Sequence, residues 1–169
     1  MLGNFVSRVT KFCRSKFGEK APAGEYGPAE DALTADLIKR IAAYAQHWED
    51  IEIRKAAAEL RAIWVAGNEY LQAQEPWAVF KTDPDRAGAI IRYALNLTRL
   101  YAILSEPFIP GASKTIAKAM SIADMSWPDD VAAAMQALPP GHAFTVPENM
   151  FAKITDDARD EMAAKFAGE

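Results

Sequence analysis

One cysteine and two histidines in 169 residues remove several kinds of chemistry from this chain. Cys13 has no partner for a disulfide, and with His47 and His142 far apart in sequence there is no ligand spacing for structural zinc. No run approaches the ~18 apolar residues of a membrane helix. The first twenty residues carry basic side chains without the apolar block of a signal peptide, so a cytoplasmic protein with no membrane partner is expected. Glycine-rich phosphate loops, HExxH and the nucleophile elbow are all missing. The acidic pairs Asp129-Asp130 and Asp156-Asp157 are adjacent, so on a helix their side chains diverge; capping or solvation suits them better than acid–base work. There is no repeat, no low-complexity tract and no series of alternating strands.

What is present is helical. Leu2, Phe5, Val9 and Phe12 recur at steps of three and four, with Asn4, Arg8, Lys11 and Ser15 on the opposite side, which predicts a basic amphipathic first helix with Cys13 on its apolar face. Nothing but Met1 precedes it, so the natural helix is expected to begin upstream of this sequence. Gly18 to Pro28 reads as a loop. A second helix is expected from Pro28 to near Trp48 and a third at once from about Asp50 to Gln74, where Pro76 stops it; the stripe Ile53, Ala57, Leu60, Trp64 and Leu71 assigns Trp64 to packing. Asp83-Pro84-Asp85 opens a fourth helix through Leu104 whose apolar residues nearly encircle it, as in the centre of a bundle. Further short helices are expected over Ala112–Met120, from Trp127 through Leu138 and over Thr155–Phe166, with an extended piece near Phe144–Val146. The fold class is therefore all-α, a bundle of about five helices occupying residues 1–154, followed by a short terminal helix or tail over 155–169.

The formal net charge of −4 hides an asymmetry: residues 1–20 hold five basic side chains against Glu19, a local +4, and the rest of the chain carries −8. Among four tryptophans, Trp77 stands apart because it follows the helix-ending proline in Gln74-Glu75-Pro76-Trp77, where a rigid turn can hold an indole at the bundle's end. Such a ring is a platform for base stacking, worth about 1–3 kcal/mol per base. The residues alone favour a docking helix whose charges are solvated, and core packing or a hydrophobic lid for Trp77, over a role in binding.

Four ordered segments carry a resemblance: Leu2-Gly3-Asn4-Phe5-Val6-Ser7-Arg8, Gly67-Asn68-Glu69-Tyr70-Leu71 with Pro76-Trp77, Glu106-Pro107-Phe108-Ile109-Pro110, and Met150-Phe151-Ala152-Lys153-Ile154. Together they are similar to landmarks of the methionyl-tRNA synthetase anticodon-binding domain, itself a helical bundle. The resemblance implies that Asn4 and Arg8, one helical turn apart, and Trp77, presented by Pro76, read the CAU anticodon of methionine tRNA, with Lys11, Arg14 and Lys16 attracting phosphates. It also implies that ATP and Mg belong to a catalytic domain in cis or in trans, because the HIGH-like and KMSKS-like motifs are absent from this chain. The chain alone is thus expected to bind tRNA, not DNA, and to hold no catalytic residue and no cofactor. The rival expectation is a helical protein-interaction module or non-catalytic paralogue that kept the bundle.

Overall fold

Pro28, Pro76, Pro84 and Pro110 each stand at the first position of a helix, where the missing amide costs nothing and the fixed φ suits the first turn. The computed structural model describes residues 1–148, 150–151 and 154–167, and among these it has eight helical segments and no strand. They are α1 (Leu2–Phe17), α2 (Pro28–Glu49), α3 (Ile53–Gln74), α4 (Pro76–Val79), α5 (Pro84–Ser105), α6 (Pro110–Ala119), α7 (Val131–Ala134) and α8 (Asp156–Phe166). Ala152 and Lys153 of the last landmark segment lie outside the described residues.

Helix α5 is the axis: apart from Arg99, every residue from Ala87 to Ser105 is buried. Around it stand α1, the α2–α3 hairpin, α4 and α6. Hydrogen bonds from side chains fix these neighbours on the axis, with the Tyr44 hydroxyl donating to the Leu104 carbonyl (2.8 Å) and the Tyr101 hydroxyl to that of Ile63 (3.2 Å). Helices α3 and α5 approach so closely at Gly67 that a Cβ there would overlap the Tyr101 hydroxyl. Burial on both sides of this contact excludes water, so the absent side chain is what permits the approach.

The expected bundle is present, with differences at its joints. Helix α3 starts at Ile53 instead of Asp50, because Ile51 turns left-handed (φ 59°) at the hairpin tip, an unfavourable setting for a β-branched residue. Helix α6 begins at Pro110, ahead of Ala112. The helix expected from Trp127 shrinks to the single turn α7, capped by the Asp130 carboxylate, which accepts from the Ala133 amide (3.0 Å). Beyond it the chain passes through turns, and the buried Asn96 amide oxygen accepts from the Leu138 N–H (2.8 Å), tying the chain at that point to α5. The piece near Phe144–Val146 is not part of a strand: next to an isolated bridge between Lys20 and Ala143, the Phe144 N–H donates to the Glu19 carbonyl (3.1 Å) and that of Thr145 to the Ala119 carbonyl (2.7 Å). Helix α8 forms where a short terminal helix is expected, with Thr155 as its cap, and buries no residue.

Candidate nucleic-acid interface

The apolar stripe of α1 goes inward. Leu2, Phe5, Val6, Val9 and Cys13 are buried, and burial pushes the Cys13 thiol up to about 12. Its other side, Asn4, Lys11, Arg14 and Lys16, is exposed, and Arg8 is half-buried. α1 contains no acidic residue, and among the described residues none of its cations is in an ion pair. The helix itself is therefore net positive although the whole chain is acidic, with Glu19 just beyond its end and Glu148 across the groove that Lys11 lines.

At the far end of α3, Glu75 adopts a left-handed conformation (φ 41°, ψ 57°). That reversal, followed by the buried Pro76, starts α4 and sets Trp77 half-buried at the end of the bundle. Holding a non-glycine residue there costs roughly 1–2 kcal/mol, which the surrounding packing must offset. Three edge-to-face aromatic contacts supply part of that packing: Phe12 and Phe17 of α1 meet Phe80 after α4 with centroids 6.1 and 5.3 Å away, and each other at 6.4 Å. They join α4 to α1.

In consequence Arg8 and Trp77, 69 positions apart, meet. The Arg8 guanidinium carbon lies 4.5 Å from the centroid of the Trp77 ring, and Lys16 sits 5.5 Å over Phe80 in the same manner. Among the described residues no hydrogen bond is made to the Arg8 guanidinium, whereas Arg40, Arg86, Arg92 and Arg159 all donate to protein oxygens. Arg8 is thus a planar donor fork held in place by stacking with its hydrogens unspent. Asn4 is one turn away, and its amide likewise has no hydrogen-bond partner among the described residues. Of the residues singled out from sequence, the structure brings Arg8 and Trp77 into contact. Asn4 and Lys11 face a neighbouring open groove of about 640 Å³, which Ser7, Trp64, Met150 and Phe151 also line. Arg14 and Lys16 extend the exposed basic side toward the end of the helix.

Trp64 packs on the core as the sequence stripe predicts. It is half-buried, and it also forms a wall of that groove. Trp127, by contrast, leans outward at 38% exposure while stacking on Tyr44 (5.3 Å, 28°). Glu30 and Arg86 carry no sequence signal strong enough to single them out, yet they form a buried network. Glu30 is wholly buried: its Oε2 accepts from the Gly27 amide (2.7 Å) and Arg86 Nη1 (2.8 Å), its Oε1 from Arg86 Nη2 (2.8 Å) and the Tyr70 hydroxyl. Burial alone would raise the Glu30 carboxyl, but the bonds from Arg86, Tyr70 and Gly27 outweigh it and the net displacement is downward. The available signal was Glu30 three positions after Gly27, half of a capping box, since glycine has no side chain with which to reciprocate.

The fold is the all-α bundle of a tRNA anticodon-binding domain, carrying an exposed basic helix with an Arg–Trp pair at one end. Comparison with known proteins makes the family specific. Residues 21–169 match the family described as the anticodon binding domain of methionyl tRNA ligase, and the chain belongs to that family. A methionine–tRNA ligase of Dinoroseobacter shibae is 64% identical over 169 residues, covering 99% of this chain and 30% of the relative; one of Ruegeria sp. is 61% identical with the same coverage. The chain therefore spans about 30% of the length of the curated relatives it matches. The crystal structure of apo Mycobacterium tuberculosis methionyl-tRNA synthetase superposes with a TM-score of 0.78 at 22% identity, covering 91% of this chain and 32% of that one, a likeness of fold. Helix α1 precedes the family match, yet its buried residues belong to the same hydrophobic core as those of α2, α3 and α5.

Proposed function

We propose that this chain is the tRNA-reading module of a methionine–tRNA ligase and that it recognises the CAU anticodon of methionine tRNA through Asn4, Arg8 and Trp77. The observation that carries this reading is the Arg8–Trp77 pair, in which an indole at the end of the bundle stands beside an arginine of the basic helix that makes no side-chain hydrogen bond among the described residues. An anticodon base is splayed from its loop, so it offers a face to stack and a pairing edge to hydrogen-bond. Trp77 suits the face, and Arg8 and Asn4 suit the edge, Arg8 donating and Asn4 able both to donate and to accept. Pro76 serves by holding the turn that presents the ring. Lys11, Arg14 and Lys16 draw in the phosphates without regard to sequence.

In this reading the chain performs no bond-making step; it places the tRNA so that the acceptor end reaches a catalytic domain in cis or in trans. The test is the affinity of the chain for a CAU anticodon stem-loop and for one altered at the first anticodon base. The CAU form should bind more tightly, and Trp77→Ala should weaken it by about 5- to 150-fold, the equivalent of one stacked base. Equal affinity for both RNAs, or indifference to Trp77→Ala, rejects the proposal. Absent RNA binding together with a stable protein partner would favour the interaction-module alternative.

A further inference from the structure

The wholly buried Glu30 sits where three helices end: the start of α2, the end of α3 and the start of α5. Its partner Arg86 does more than neutralise it. Arg86 Nη2 also donates to the Gln74 side-chain oxygen (2.9 Å), and the Arg86 amide donates to the Asp83 carboxylate that caps α5 (2.9 Å). Gln74 is the last residue of α3, and Asp83 immediately precedes α5. The two ends of the segment 75–83, which carries Trp77, are thus tied to one arginine, and its guanidinium is held in register by a buried carboxylate. Inside the segment the backbone is continuously bonded, from Ala78 to Glu75 (2.8 Å), Phe80 to Pro76 (2.9 Å) and Asp83 to Val79 (2.8 Å), so it moves as a unit with its ends.

We infer that Glu30, acting through Arg86 and Gln74, is a positioning residue for Trp77. The inference rests on the reading of Trp77 as the base-stacking residue, and it adds a determinant that touches neither Trp77 nor RNA. A lysine cannot replace Arg86, because only the planar fork reaches both Glu30 oxygens and Gln74 together.

The test combines a spectroscopic and a binding readout on this chain. The indoles are labelled with 5-fluorotryptophan, and the Trp77 fluorine resonance is assigned by its loss in Trp77→Phe. Gln74→Ala unties the segment while leaving the Glu30–Arg86 pair in place, and it should move or broaden the Trp77 resonance while leaving that of Trp127 unchanged. It should also lower affinity for the CAU stem-loop by roughly three- to tenfold, a size ordinary for coupled neighbours. In a Trp77→Ala background the same change should have no further effect. Glu30→Gln should act in the same direction, and should it fail to fold, Gln74→Ala carries the test alone. An unmoved Trp77 resonance in Gln74→Ala overturns the inference, as do losses that simply add in the double variant. A moved resonance with RNA affinity indifferent to Trp77→Ala supports the positioning and overturns the stacking reading, so the two fail separately.

Discussion

Replacing Glu30 by glutamine keeps its shape and removes one charge, and the geometry dictates the consequence. Whichever way the new amide is turned, its NH2 faces a donor: the Gly27 N–H and Arg86 Nη1 on one side, Arg86 Nη2 on the other. Breaking a buried charge pair from one end costs about 3–5 kcal/mol. Arg86 remains 28% exposed and regains some hydration, so about 2–4 kcal/mol is the expected loss. For a domain of this size that corresponds to a fall in Tm of roughly 5–15 °C at pH 7. The wild-type carboxyl is displaced downward in the folded protein, so its contribution is fully present above the unfolded carboxylate pKa of about 4.3 and is lost as pH falls through the lower folded value. Thermal unfolding followed by circular dichroism should therefore show the gap between wild type and Glu30→Gln narrowing as the pH is lowered from 5 through that range. Curves that stay parallel to the lowest pH at which both fold, or a variant as stable as wild type at pH 7, would refute this account of the pair.

Gly67→Ala should destabilise the bundle by about 1–3 kcal/mol or more, since its Cβ overlaps the Tyr101 hydroxyl, and should leave the RNA affinity of the fraction that remains folded unaltered; denaturant unfolding and titration of the stem-loop measure the two. Cys13, buried with its thiol pushed up to about 12, should resist iodoacetamide at pH 8 while the chain is native and react promptly in denaturant; rapid native alkylation would contradict its placement. RNA affinity should fall with salt at a log–log slope near −2 if Lys11, Arg14 and Lys16 each meet one phosphate of a single strand, and each alanine variant should flatten the slope by about 0.7. A slope that none of the three alters would remove them from the interface.

Helix α1 was legible because one periodic stripe sorts it into an apolar and a basic side, and α5 because apolar residues run all round it. That pattern alone sets which face of α1 is buried and that α5 is central to the bundle. The Arg8–Trp77 meeting was not in the pattern: only the resemblance placed these residues together, and the contact depends on the Phe12, Phe17 and Phe80 cluster bridging α1 and α4. The Glu30 network was hidden for a different reason. Glutamate near a helix start is ordinarily a solvated cap, and nothing local announces that Tyr70 and Arg86, 40 and 56 positions away, will bury it. The tie of Leu138 to Asn96, 42 positions away, was likewise invisible, because a reading of successive residues does not register a partner from across the chain.

The stacked Arg8 also shapes how the unbound module behaves. One face of Trp77 already lies against a cation from its own chain, so a base arriving on that face must either displace the guanidinium or settle against it. Displacement forfeits about 0.5–1 kcal/mol whichever base arrives. A penalty common to all bases leaves their ranking unchanged but lowers occupancy by every strand that offers only stacking. If Trp77 stacks a base as proposed, the resting pair would act as a threshold against the many exposed bases of other RNAs, cleared by those that also engage the fork it releases.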